Sequence, residues 1–369
     1  MGSLSRKTVA WAAGAALAVG GGTAGIVIAA HGGGGQAGTA AARTADVRPV
    51  PLRLVSVSPA SGGKAVNGAQ AITVTYNQPL PATAALPTVS PAIAGSWQRK
   101  GDTAVFTPST GFPAQTRVTV TAATGTGKAT ASFKTGKYST LRLQELLAKL
   151  GYLPLTWTPA AGGAATGGTA AAQLSAAYAP PAGKFKWQPG YPSQLHWFWS
   201  QGKANTLDQG AITGFEADHG LTTNGVAGTA VWKALLTAAA KDQRNTHGYS
   251  YAIASQQSPE TLTIWHDGKK AFSSAANTGI PDSPTGVGTF PVYEKLPFQI
   301  MQGTNPDGSS YSDPVEWVSY FDGGDAVHYF DRYSYGWQQS LGCVELPYDA
   351  AKEAYPILPY GTLVTVTPV

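Results

Sequence analysis

The apolar and polar positions change their period twice along the chain, and each change marks a different architecture. From about 50 to 136 the period is two. Ala71-Ile72-Thr73-Val74-Thr75-Tyr76, Thr103-Ala104-Val105-Phe106-Thr107 and Arg117-Val118-Thr119-Val120-Thr121 all alternate, which sends every second side chain to one face of a strand. Ser61-Gly62-Gly63 and Asn77-Gln78-Pro79 separate the runs as turns, and strands at that spacing predict a small β-sandwich. Over 139–150 the period becomes helical: Leu143, Leu146, Leu147 and Leu150 recur at i, i+3, i+4 and i+7. Ser139 or Thr140 is the candidate cap and Gly151 the stop. Two more helices are expected, over about 207–219 with Asp208 near its start and over about 229–240 with Thr229 as candidate cap. From about 248 alternation returns. Thr261 to Trp265 and Lys270 to Phe272 form a predicted hairpin around Gly268. Phe290–Tyr293, Val315–Tyr320 and Leu363–Val366 are further strands, and a short helix is expected over about 348–355, before Pro356.

The N-terminus changes where this architecture is placed. Arg6 and Lys7 precede an uncharged stretch, Thr8 to Ala30. At about 1.5 Å per residue such a helix crosses a hydrocarbon core of roughly 30 Å. The basic flank stays inside, which puts the rest of the chain outside. The expectation is an extracytoplasmic protein, anchored in the cytoplasmic membrane by its N-terminus or secreted to the cell wall after cleavage. The domain boundaries follow: 1–31 membrane anchor or signal segment, 32–48 flexible tether, 49–136 β-sandwich, 137–245 helical domain with an insertion over 155–200, and 246–369 a second, mixed β-sandwich. The fold class is multidomain and mainly β.

Composition narrows the chemistry. Charged residues make up 12% of the chain, about half the usual share of roughly 25%. Lys and Arg are scattered, so the formal charge of +5 describes no nucleic-acid patch. Cys343 is the only cysteine, which excludes an intrachain disulfide and a multi-thiolate metal site. His266-Asp267 and Asp322-Gly323-Gly324-Asp325 read as turns rather than cation sites, so neither metal nor cofactor is expected. The aromatics of the insertion (Trp187, Tyr191, Trp197, Phe198, Trp199) either stack on sugar rings or pack onto a neighbouring domain.

The chemistry concentrates in Val327-His328-Tyr329-Phe330 and Ser340-Leu341-Gly342-Cys343-Val344-Glu345-Leu346. A thiol attacks as thiolate, and an adjacent imidazole both promotes ionisation and carries the proton. Cys343 is the candidate nucleophile and His328 the candidate proton donor and acceptor. Ser340 and Gly342 flank the thiol as loop residues, and the Gly342 backbone N–H is a candidate oxyanion donor.

These residues resemble a known family. His328, Gly336, Ser340, Gly342 and Cys343, with Asn277-Thr278-Gly279, Pro284-Thr285-Gly286, Phe290 and the closing Gly361-Thr362-Leu363-Val364, resemble the catalytic domain of bacterial L,D-transpeptidases of the YkuD type. Two positions depart from the family pattern. Leu341 stands where a second His is usual, and Glu345 where Arg or Asn is usual. A carboxylate two residues from Cys343 opposes thiolate formation if it faces the thiol. Alternatively it is turned to a Lys or Arg, or binds a substrate ammonium.

The resemblance implies a peptidoglycan L,D-transpeptidase that forms 3→3 crosslinks, or attaches amines to stem peptides, through a Cys thioester. Its partners would be donor and acceptor stem peptides, with wall glycan as a further possibility, and carbapenem β-lactams would acylate it. The Tyr329 carbonyl would orient His328, and Trp317, Tyr320, Glu345 and Tyr335 would bind substrate. An L,D-carboxypeptidase and a catalytically altered wall-binding scaffold remain the alternatives. Leu54 to Pro59, Ile72 to Pro79 and Phe106-Thr107-Pro108 resemble bacterial Ig-like domains. Leu143 to Leu147, Leu150-Gly151-Tyr152, Ala211 to Glu216 and Thr229 to Leu235 resemble the small three-helix peptidoglycan-binding domain.

Overall fold

The computed structural model describes residues 50–160 and 170–369. The stretch Thr8–Ala30, its proposed membrane role and the tether lie outside the described residues. No described helix is long and apolar enough to cross a membrane.

The first alternating region folds as the pattern predicts. Its strands are β1 (Leu54–Ser58), β2 (Ile72–Tyr76), β3 (Thr88–Ser90), β4 (Gly95–Lys100), β5 (Thr103–Pro108), β6 (Arg117–Thr124) and β7 (Gly127–Lys134). They form one sheet in the order β1-β2-β5-β4 and another in the order β3-β6-β7. The alternate residues Ile72, Val74 and Tyr76 meet Val118, Val120 and Phe133 in one core.

The middle region contains α1 (Thr140–Lys149), β8 (Leu155–Pro159), α2 (Ala170–Tyr178), β9 (Gly183–Trp187), α3 (Thr206–Asp218) and α4 (Thr229–Lys241). Leu146, Leu147 and Leu150 of the first helical stripe are fully buried. The caps differ from the expected ones. Ser139 precedes α1 without a side-chain cap bond. Asn205 Oδ1 caps α3 by accepting from Asp208 N at 2.9 Å, and Gly228, not Thr229, holds the cap position of α4. The insertion is part of this core rather than an appendage. Trp187 stacks on His196, Phe185 packs edge-on to Trp199, and the Tyr191 hydroxyl donates to Tyr249 O at 2.9 Å. Trp197 alone of the five aromatics is largely exposed, at 77%.

Asp208 is the exception within this core. It is buried, and its carboxylate accepts from Gln144 Nε2 at 2.9 Å while Oδ1 has no partner. Burial pushes its pKa up to about 7. The folded state therefore binds more protons than the unfolded state between the ordinary carboxylate range and about pH 7, so this group's contribution to stability falls as pH rises through that window. Asp208→Asn is expected to remove this slope and raise the melting temperature above neutral pH. Thermal melts of both proteins across the window check it.

The last region is a two-sheet sandwich. Strands β10 (Ser250–Ser255), β11 (Thr261–His266), β12 (Lys269–Ala275), β13 (Gly288–Pro291), β14 (Glu294–Thr304), β15 (Ser310–Asp322), β16 (Asp325–Tyr329), β17 (Val344–Leu346) and β18 (Leu363–Thr367) are joined by α5 (Tyr348–Ala354). One sheet runs β12-β11-β10-β18-β13, the other β14-β15-β16-β17. The sheets are mixed, because β10 pairs β18 and β16 pairs β17 in parallel. Ala252, Leu262, Ile264 and Val364 of the first sheet meet Phe321, Val327, Val344 and Leu346 of the second, with Ala351 and Ala354 of α5 closing the core. The outer side of the first sheet gives Tyr249, Tyr251 and Leu363 to the core of the helical region. Helix α3 approaches closely because Gly210 faces the chain at Gly361: a Cβ on Gly210 would lie 2.6 Å from Gly361 O.

Candidate active site

The parallel pairing of β16 with β17 builds the site. Its register sets Val327 beside Val344 and His328 beside Glu345. Val327 and Val344 point into the inter-sheet core, so the alternate residues point the other way. His328, Cys343 and Glu345 consequently line one cleft of about 610 Å³. The long β14–β15 hairpin forms the opposite wall, with Met301, Tyr311 and Tyr320 facing in.

The loop before Cys343 is held on both sides. Asn277 exchanges two backbone hydrogen bonds with Glu345, at 3.0 and 2.9 Å. The Thr278 carbonyl accepts from Gln339 N and Ser340 N. Thr278 is anchored in turn on buried Glu260, with its N–H at 2.6 Å and its hydroxyl at 2.8 Å from the carboxylate. Ser340 is buried and donates to Cys343 O at 2.6 Å. Gly342 has φ +119, and a Cβ there would lie 2.3 Å from Asp325 Oδ1. Only glycine fits that backbone and that space.

His328 is buried, and its Nδ1 lies 2.8 Å from Tyr329 O. A carbonyl can only accept, so Nδ1 carries the proton and Nε2 is left with its lone pair. Burial lowers the imidazole pKa, opposed by the Tyr329 carbonyl and Glu345. The resting His328 is therefore a neutral base of defined tautomer.

Cys343 is half-buried at the cleft wall, with Sγ 3.9 Å from Gly324 O. Burial pushes its thiol up to about 12, with the carboxylates of Asp325 and then Glu345 adding to the effect and the Ala326 backbone opposing it. The resting group is a thiol.

Glu345 has a partner that sequence reasoning did not name. Arg332 grips it with two parallel bonds, Nε to Oε2 at 2.8 Å and Nη2 to Oε1 at 2.8 Å. The carboxylate is thus turned to an arginine, one of the alternatives its type left open. Arg332 is the only Lys or Arg between His328 and Cys343, which is the signal that could have found it. Its Nη2 also donates to Gln339 O at 3.1 Å, so the ion pair pins the segment joining the two strands.

Three expected roles are not what the structure shows. Trp317 is not in the cleft. It sits at a break in the β15–β16 register between Glu316 and Ser319 with φ +60. That bulge turns the indole to the α5 side, against Tyr348 and Tyr355. Tyr335 does not line the cleft either; its hydroxyl donates to Phe330 O at 2.6 Å and ties down the loop. The Gly342 N–H is directed at Ser340 Oγ, 3.2 Å away, and is not free as an oxyanion donor. Tyr320 does line the cleft, with its hydroxyl 2.7 Å from Gln299 Oε1. Leu341 also lines it, offering no proton carrier.

Among the described residues no group of three or more His, Cys, Asp or Glu is arranged to hold a metal. A thiol just before β17 and a neutral imidazole on β16 open on one cleft, the pair of groups that cysteine acyl transfer requires. Residues 250–366 match the family model of the L,D-transpeptidase catalytic domain, YkuD, and residues 48–140 match that of the bacterial Ig-like domain. The chain carries a YkuD L,D-transpeptidase catalytic domain, with a bacterial Ig-like domain before it.

Among solved structures, an L,D-transpeptidase from Mycobacterium smegmatis is 16% identical, covering 86% of this chain and 100% of that one, with a TM-score of 0.30. L,D-transpeptidase 3 from Mycobacterium tuberculosis, in complex with a faropenem-derived adduct, is 17% identical over 85% of this chain and 98% of that one, with a TM-score of 0.30. The catalytic domain of the E. faecium enzyme acylated by ertapenem is 30% identical over 32% of this chain and 98% of that one, also at 0.30. No curated protein matches the chain. The two family models leave the helical region between them unmatched.

Proposed function

We propose that the protein is a peptidoglycan L,D-transpeptidase whose nucleophile is Cys343 and whose proton carrier is His328. The observation that carries this reading is the parallel β16–β17 register, which sets the thiol and the tautomerically fixed imidazole on one wall of the same cleft.

The reaction has two halves. Cys343 Sγ attacks the carbonyl of the third residue of a donor stem peptide, and its proton passes to His328 Nε2. The thiol's high pKa requires proton loss and S–C bond formation to occur together. The tetrahedral intermediate collapses by breaking the C–N bond, and His328 returns the proton to the departing D-alanine nitrogen. An acceptor amine then attacks the thioester and gives a proton to His328. The C–S bond breaks, and the proton restores the thiol. The product is a 3→3 crosslink, or an amine attached to the stem peptide; water in place of the amine gives the carboxypeptidase reaction. Tyr320 and the Arg332–Glu345 pair bound the substrate's path to the thiol. This chemistry requires an extracytoplasmic site, consistent with the N-terminal sequence acting as an anchor or a secretion signal.

The test is intact-protein mass after incubation with a carbapenem. The reading expects one adduct on the wild-type chain, mapped to Cys343, and none on Cys343→Ala. A wild-type protein that takes no adduct, while Cys343 is reachable by small alkylating agents, favours a wall-binding scaffold.

A further inference from the structure

Two carboxylates stand beside Cys343, and they are not equivalent. Glu345 is neutralised by the bidentate Arg332 pair. Asp325 lines the same cleft, and no Lys, Arg or His pairs with it among the described residues. It is fixed in place. The Gly342 backbone packs against it so closely that only a missing Cβ allows the contact, and the Gly286 backbone supports it from the loop before β13. The other groups around it do not supply a positive charge. Asp322 lies across the turn and Tyr293 beside it, with Cys343 and the already paired Glu345 on the loop and β17 side.

We propose that Asp325 is the cation-recognition residue of the cleft, holding the ammonium group of the amine acceptor beside the thioester at Cys343. One ammonium proton passes to the Asp325 carboxylate and on to solvent before the neutral nitrogen attacks, and the second goes to His328 and from there to the departing thiol. The inference rests on the transpeptidase reading and adds the charge class of the acceptor and the residue that selects it. A partly desolvated carboxylate with no internal counter-ion is a costly arrangement unless a ligand supplies the charge. Its position next to the sulfur couples binding to reactivity: a cation on Asp325 offsets a negative charge that opposes charge build-up on sulfur as the C–S bond breaks. Burial and the Asp322 charge push the Asp325 pKa up to about 6, so the group is ionised at neutral pH and loses its charge in mild acid. Leu341, where a second histidine is usual in the family, puts no charge beside Cys343 to steer the amine; Arg332 on the same loop is spent on Glu345, and Asp313 lines the cleft from the β15 wall.

The experiment compares wild type with Asp325→Asn in the full chain, using a carbapenem, iodoacetamide and two acceptors. One acceptor is a D-amino acid, whose amine is protonated in solution; the other is hydroxylamine, uncharged at neutral pH. The inference expects KM for the D-amino acid to rise about tenfold or more in the variant, with little change for hydroxylamine. It also expects the pH profile of iodoacetamide alkylation to move about one pH unit lower and carbapenem acylation to be faster. Equal losses with both acceptors, or no loss with either, overturn the inference, as does an unmoved alkylation profile. Absence of a carbapenem adduct on the wild-type protein overturns the enzyme reading and this inference with it. An adduct combined with unchanged acceptor discrimination overturns the inference alone. Asp325→Glu, which keeps the charge, is expected to retain preference for the protonated acceptor.

Discussion

Arg332→Gln is expected to destabilise the protein by about 3 kcal/mol, the lower end of the cost of breaking a buried ion pair. Glu345 is 5% exposed and Arg332 29%, so the guanidinium keeps partial contact with water while the carboxylate does not. Removing the arginine strands the carboxylate. Its remaining polar neighbour is Asn277 Nδ2, at a long 3.5 Å from Oε2. The register of β16 and β17 puts the stranded group beside His328. The same carboxylate already raises the Cys343 pKa, and without its partner it opposes thiolate formation more strongly. Denaturant unfolding and the pH profile of thiol alkylation check the two effects. Stability falls and the profile moves to higher pH in Arg332→Gln, and both recover largely in Arg332→Gln/Glu345→Gln, where no charge is left unpaired. Equal stability of the single variant and wild type would show that the pair is an ornament of the surface.

Much of this fold was legible because it is written locally. Period two over Ile72–Tyr76 and Thr103–Pro108, and the leucine stripe of α1, each report a buried face that neighbouring residues alone determine. That His328, Cys343 and Glu345 face one cleft was legible because strand-forming Val327-His328-Tyr329 and Val344-Glu345-Leu346 are short and flank the thiol, so their polar residues fall on the face opposite the core valines. What failed depended on partners distant in sequence. Trp317 and Tyr320 are expected together in the cleft, but residues three apart on a strand face opposite sides, and the bulge after Glu316 brings Val318 and Tyr320, not Trp317, into phase with Val315 on the cleft side. Bulges reflect what the neighbouring strand requires, and nothing in Val315–Tyr320 announces one. Glu345 was recognised as a departure from the family pattern, yet its consequence depended on Arg332 reaching it from the connecting loop. Gly342 was rightly singled out, but its special backbone serves contact with Asp325 and a bond to Ser340, not an N–H aimed at substrate.

His328→Ala is expected to slow acylation of Cys343 by roughly 10²–10⁴-fold at neutral pH, the range a positioned general base supplies, and to change the shape of the pH profile. In the wild type the thiol keeps its proton until about pH 12, and His328 is neutral from below the ordinary imidazole value upward. The reactive form, thiol with neutral imidazole, therefore predominates through neutral and mildly alkaline pH. Its rate should be flat there, falling only in acid as Nε2 becomes protonated. Without the imidazole, attack needs thiolate formed in bulk equilibrium. The rate should then climb about tenfold per pH unit, so the deficit narrows as pH rises. Single-turnover adduct formation with a carbapenem, followed by mass across a pH series, distinguishes the cases. A variant profile that runs parallel to the wild type would mean that His328 positions the loop but carries no proton. A wild-type profile that itself climbs without a plateau would mean the same. Because Nδ1 is committed to the Tyr329 carbonyl, His328→Gln offers a hydrogen-bond donor at that end but no base at the other. It should share the steep profile of the alanine variant even where it preserves the strand.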